Sequence, residues 1–262
     1  MAIECRHVYS LGSTCRCADY LKMAGLRLAS SPFDWIGGAR TVQNVLKWCM
    51  TDFEGFFEKD DLVRHKDAWG PRRTYWYVNK TTGFVSAHDF VYGRPFDEMY
   101  VEVREKLYRR IGRLLDALRG KERVVLCWLG RDVPLPIDPF DSAKTLEAFR
   151  ALRAKYGDHI DLLCFVRDNS AEPGVPRVET PTEGLRIVRF FSPGYDSEDQ
   201  RIDHAEEKVV LAELARYKAP GGKWSNRWRS FCKWAWRSKI SRKGNQTFRL
   251  LGIPVWKRKV AS

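Results

Sequence analysis

The sequence lacks a C-x-x-C motif: of its seven cysteines only Cys15 and Cys17 lie close together. Without that motif neither a zinc knuckle nor a thioredoxin-type dithiol is supported, and no metal or cofactor is expected. No stretch approaches the roughly 18 uninterrupted apolar residues of a spanning helix. The N-terminus, MAIECRHVYS, has no basic region followed by a long apolar one, so no secretory leader is expected and a cytoplasmic location follows. Neither a G-x-G-x-x-G loop nor a D-x-D pair occurs, which counts against a nucleotide-sugar site. Acidic residues are missing altogether from 221–262, where twelve Lys or Arg and five of the ten tryptophans stand. The rest of the chain holds 34 basic against 33 acidic residues, so the formal net charge of +13 belongs almost wholly to the tail. Two parts with separate tasks are expected: an α/β domain over 1–218 and a basic, Trp-rich tail over 219–262.

What is present begins with HVYSLGSTCRCADYLKMAGL, residues 7–26. The run His7–Leu11 reads as a short buried strand, Gly12 breaks it, Ser13 and Thr14 can cap a helix, and the residues from Cys15 onward carry helical spacing. Cys15 thus falls in the first turn of a helix at the carboxyl end of a strand. Unpaired N–H groups and the helix dipole favour negative charge there, a setting that lowers a thiol pKa.

Farther along, PFDWI reads as a buried turn with Asp34 bonded locally or facing a site, and 41–50 as a helix. Residues 58–73 read as a charged loop. RTYWYV and GFVSAHDF, joined by NKTTG, read as a hairpin with His88 near the end of its second strand. Phe96–Leu118 is a long amphipathic helix with Val103, Leu107, Ile111, Leu114 and Leu118 as its apolar stripe. Then the rhythm changes. RVVLCWL (123–129), IDLLCFV (160–166) and LRIVRFF (185–191) are continuous apolar strands separated or followed by the helices 142–156 and 205–217. That pattern predicts a three-layer α/β domain with a mostly parallel sheet covered on both faces. Two of these strands run on into Arg-Asp, so Asp132, Asp168 and Cys15 are expected along one sheet edge, where ligands gather in such folds.

The ordered set SLGSTC, SPFDWI, DFEGFF, AHDF and KLYRRIGRLLDAL resembles a bacterial family of domains of unknown function described as papain-like cysteine peptidases. The resemblance spans about residues 5–170. It implies Cys15 as nucleophile and His88 as its base. A third group would orient the imidazole, and Asp34, Asp89 and Asp132 are all candidates; Asp89 neighbours His88 along a strand, so it should face the other way. The sequence departs from papain in having no Gln ahead of Cys15 and a Cys-to-His interval shorter than the usual ~130–150 residues.

In the tail, Lys223–Arg242 reads as a basic helix with tryptophans on its apolar side, suited to an anionic membrane surface. The segment FRLLGIPVWKRK is similar to short tails on proteins of bacterial surface-polysaccharide synthesis, which implies peripheral association at the inner membrane. Nucleic acid is not an expected partner, because no nucleic-acid module is recognisable in 1–218. The leading expectation is a cysteine hydrolase acting on an unidentified peptide or glycan-linked substrate. The alternative is a transferase or accessory protein of surface-polysaccharide biosynthesis.

Overall fold

The structure is a computed structural model. It describes residues 2–12, 15–34, 36–37, 41–69, 74–132, 140–168, 170–192, 204–220, 236–240, 245–250 and 253–259. In chain order β1 (Ile3–Glu4), β2 (His7–Ser10) and α1 (Cys15–Met23) are followed by β3 (Ile36–Gly37) and α2 (Val42–Met50). Next come β4 (Leu62–Trp69), β5 (Thr74–Asn79), β6 (Val85–Val91) and α3 (Phe96–Arg119). The sequence continues through β7 (Val124–Asp132), α4 (Ser142–Tyr156), β8 (Ile160–Asp168), β9 (Arg177–Thr182), β10 (Leu185–Phe190), α5 (His204–Leu214) and β11 (Tyr217–Lys218). The tail adds β12 (Trp236–Ile240), β13 (Asn245–Leu250) and β14 (Ile253–Lys259).

The expected three-layer architecture is present. The main sheet has the order β2-β7-β8-β10-β9, parallel throughout except for β9 at its edge. Strand alternation sends successive side chains to opposite faces, and both faces are apolar. Leu126 and Trp128 of β7 and Leu162 and Cys164 of β8 pack with α2, α3 and α4. Their neighbours Val125, Cys127, Leu163 and Phe165 pack with α1 and α5. Each such side chain taken fully out of water contributes roughly 1.5–3 kcal/mol, which is why the apolar runs were legible as central strands.

A second sheet, β3-β6-β5-β4, is antiparallel. The predicted hairpin is its centre, and it packs on α3 through Tyr77 and Phe90, whose rings lie 4.8 and 5.5 Å from that of Phe96. Residues 62–69 are a strand and not the expected loop. Pairing with β5 supplies the backbone partners that the charged sequence LVRHKDAW does not advertise. β9 is also unanticipated, because its exposed, charged residues belong to an edge strand where Pro181 costs no ladder bond.

The tail corrects a further expectation: Trp236–Ile240, assigned above to a basic helix, is a strand paired with β13. Residues 221–235 lie outside the described residues, as do the capping candidates Ser13 and Thr14. Among the described residues no helix is long and apolar enough to cross a membrane.

Candidate functional site

The chain leaves β2 still bound to its neighbour strand. Leu11 N–H donates to the Cys127 carbonyl at 2.7 Å, and Gly12 N–H donates to Ser10 Oγ at 3.1 Å. Gly12 has φ 79°, a left-handed conformation that a Cβ would strain, and it turns the chain toward α1. Cys15 is the first residue of α1 and is exposed, whereas the other five described cysteines are all buried. Burial drives Cys5 up to about 11 and both Cys17 and Cys49 up to about 12, so these thiols are packing residues and not nucleophiles.

The expected depression of the Cys15 pKa is not found. Although the residue is exposed, enough protein surrounds the sulfur that desolvation raises its pKa, and the Asp19 carboxylate one turn along adds to the rise. The N–H groups of Cys15 and Arg16 and the Arg16 charge pull the other way and lose. A helix N-terminus therefore does not by itself make a thiolate here, because desolvation of the sulfur, with the Asp19 charge added to it, outweighs the N–H groups.

Beneath this turn lies a group the sequence did not single out. Glu206 of α5 is fully buried. It accepts Tyr20 OH at 2.9 Å, Arg16 Nη1 at 3.3 Å and Arg167 Nη2 at 2.7 Å, with Arg167 Nε bonded to its other oxygen. Arg167 follows Leu163 and Phe165 in the alternation of β8, so it faces α1 and α5. Among the described residues its Nη1 has no hydrogen-bond partner. Burial alone pushes the Glu206 carboxyl up, but Arg167, Tyr20 and Arg16 together outweigh it and hold it below the ordinary glutamate range. The Arg-Asp strand ends drew attention to the aspartates; the arginine of the second pair is the residue that anchors α1 to the sheet.

The parallel register places Asp132 opposite Asp168 at the carboxyl edge, the edge that β2 leaves toward Cys15. Asp168 accepts Ser170 N–H and Oγ, bonds that hold its carboxyl below the ordinary range. His88 lies exposed on β6 of the second sheet, so nucleophile and expected base come from different sheets. Asp89 is half-buried and engaged by Ser86 Oγ at 3.0 Å and by Lys106. Asp34 is buried, accepting Arg27 Nη2 and Ser31 N–H, and desolvation raises its carboxyl against the pull of Arg27. Two other histidines stand at the opposite edge of the main sheet. His7 begins β2, 3.4 Å from Glu122, and His159 precedes β8 with its ring 3.2 Å from the Leu118 carbonyl. A cavity of about 570 Å³ lined by Cys5, Arg6, Arg123 and Lys218 also lies at that far edge. Among the described residues no group of three or more His, Cys, Asp or Glu could hold a metal ion.

Residues 6–129 match the family described as "Putative papain-like cysteine peptidase (DUF1796)". The match takes in both sheets' first strands, Cys15, Asp34, His88 and Asp89, and ends within β7, short of residue 170, to which the motifs suggested likeness. Arg167 and Glu206 lie beyond it. No curated protein and no solved structure matches the chain.

Proposed function

We propose that the protein is a cysteine hydrolase of the peptidase or amidase type. Cys15 Sγ attacks a carbonyl carbon, His88 accepts the thiol proton and returns it to the leaving group, and water then releases the acyl group from sulfur. The observation that carries this reading is the single exposed thiol among the described residues, at a helix start, inside the segment that matches the peptidase family. The N–H groups at the start of α1 are the donors best placed to stabilise the oxyanion, since no Gln precedes Cys15. Nothing described above favours the polysaccharide-assembly alternative over it.

Iodoacetamide labelling followed by peptide mapping tests the nucleophile without knowledge of the substrate. Cys15 should take the label first, with a rate that climbs through alkaline pH, because its pKa is raised and not lowered. Asp19→Asn should shift that profile to lower pH and raise the rate at pH 7, because the Asp19 charge adds to the rise of the thiol pKa. His88→Ala should slow labelling near neutrality while leaving the alkaline plateau unchanged. Label appearing first on a buried cysteine, or an unaltered profile in His88→Ala, would contradict the assignment of nucleophile or base respectively.

A further inference from the structure

Three of the motifs singled out in the sequence converge at a place other than Cys15. SPFDWI supplies Asp34, AHDF supplies Asp89, and KLYRRIGRLLDAL supplies Lys106, Arg110 and Arg113. On α3 these three cations are spaced by four and then three residues, so the helical period sets them along one face. Asp89 reaches that face because β6 bulges. The register pairs Tyr75–Phe90 and Tyr77–Ser86 are two residues apart on β5 and four apart on β6, so Ala87, His88 and Asp89 stand opposite Trp76 alone. Residues three apart in a regular strand face opposite ways. The bulge re-aims Asp89, which accepts Ser86 Oγ at 3.0 Å and is also bonded by Lys106.

The cluster is not balanced by its own acids. Arg27, Lys106, Arg110 and Arg113 stand against Asp34 and Asp89, two cations in excess. Both acids are already engaged, Asp34 by Arg27 and Ser31 N–H, Asp89 by Ser86 and Lys106. Arg113 Nη2 donates to the Ser30 carbonyl at 3.4 Å. Arg110 is the cation left over: half-buried, it makes no hydrogen bond or ion pair with any described residue. Burial lowers its pKa, and the guanidinium groups of Arg27 and Arg113 add to that fall against the pull of Asp34 and Asp89. Close by, Arg27 Nε and Asp34 Oδ1 are buried and also lack a partner among the described residues. A guanidinium partly removed from water with no acceptor is unfavourable unless an anion comes from elsewhere.

Arg110, Lys106, Asp89 and Ser86 line one narrow cavity, whose remaining wall is apolar and includes Pro32 and Phe57. We infer that this cavity binds a carboxylate carried on a larger molecule, with Arg110 as the principal donor. The planar fork of a guanidinium suits a carboxylate or a phosphate. Two features select the carboxylate. The enclosed space has room for about one water-sized group, so one oxygen of a planar anion enters and the rest of the molecule stays outside. Asp34 and Asp89 also stand near Arg110, and their charges repel the second charge of a phosphate dianion more than they oppose a monoanion. Neither Cys15 nor His88 lines the cavity, so its binding is measurable whether or not they perform catalysis.

The test titrates the full chain, labelled with nitrogen-15, with N-acetylglycine, with its neutral amide and with inorganic phosphate, all at one ionic strength. N-acetylglycine should shift the Arg110 Nε–H resonance saturably, and the amide should leave it in place. Phosphate should bind more weakly than N-acetylglycine. Arg110→Met, which also assigns that resonance, should weaken N-acetylglycine binding roughly tenfold to a hundredfold, the worth of hydrogen bonds to a charged group. Arg110→Lys keeps the charge without the fork and should fall between the two. Equal responses to the acid and its amide, undiminished binding in Arg110→Met, or tighter binding of phosphate would each overturn the inference. Comparison of the three probes on the unaltered chain decides the matter even where a variant fails to fold.

Discussion

Glu206→Ala should destabilise the α/β domain by about 3–5 kcal/mol, the cost of stranding one partner of a buried ion pair. For a domain of this size that corresponds to a fall in Tm of about 6–20 °C. The reason is specific. Arg167 is buried with its Nε and Nη2 committed to this carboxylate, and removing the carboxylate leaves the guanidinium without an acceptor. Replacing both partners by apolar residues, as in Arg167→Met with Glu206→Leu, should recover most of the loss, because no charge is then left buried. Thermal or urea unfolding of the two single variants and the double variant measures the coupling. A Glu206→Ala protein as stable as its parent would mean that the pair holds nothing together.

The same pair gives a signed pH dependence. The Glu206 carboxyl titrates below its unfolded value, so its contribution is complete above the unfolded pKa of about 4.3 and is lost as the pH falls through the lower folded value. The stability gap between the parent and Glu206→Gln should therefore narrow in acid and stay constant above about pH 5. A gap that widened on acidification would reverse the assigned direction.

Gly130→Ala should cost about 3 kcal/mol or more, at the upper end of overpacking effects. A Cβ at position 130 would lie 1.9 Å from Cη2 and 2.2 Å from Cζ2 of Trp128, so the indole folds over the glycine. That ring has no easy way out. It is 1% exposed and its other neighbours include Phe140, with ring centroids 5.5 Å apart. The clash also sits near the end of the central strand β7, next to β8 through the Gly130–Val166 register pair, so relief by backbone movement would disturb the main sheet. Trp128→Leu alone should destabilise by leaving a cavity, yet it should make Gly130→Ala nearly neutral, a non-additivity readable by denaturant unfolding. Additive losses in the double variant would show that the indole does not cover Gly130.

Much of the fold was legible because burial on two faces leaves continuous apolar runs, as in VVLCWL and IDLLCFV, and burial on one face leaves a helical stripe, as in Val103, Leu107 and Ile111. Strands held by pairing and not by burial were hidden: LVRHKDAW and RVETPT carry charges and polar groups because they lie at sheet edges. In the site, the exposed Cys15 at the first turn of α1 could be read from a strand, a glycine and a helical pattern in succession. The direction of its pKa could not. That depended first on how closely protein surrounds the sulfur, with the Asp19 charge adding to the rise.

By itself, then, the sequence determined the alternation of buried strands and helices, the position of one cysteine at a helix start, and a tail of twelve cations without an acid. These are local properties, carried by apolar periodicity, by a glycine able to turn the chain, and by composition. The tertiary structure decided which distant residues meet. It joined Arg16 and Tyr20 to Arg167 and Glu206 across as many as 190 positions, and drew His88 onto a different sheet from the strand that delivers Cys15. It also made Trp236–Ile240 a strand paired with Asn245–Leu250, where the sequence pattern had suggested the end of a helix.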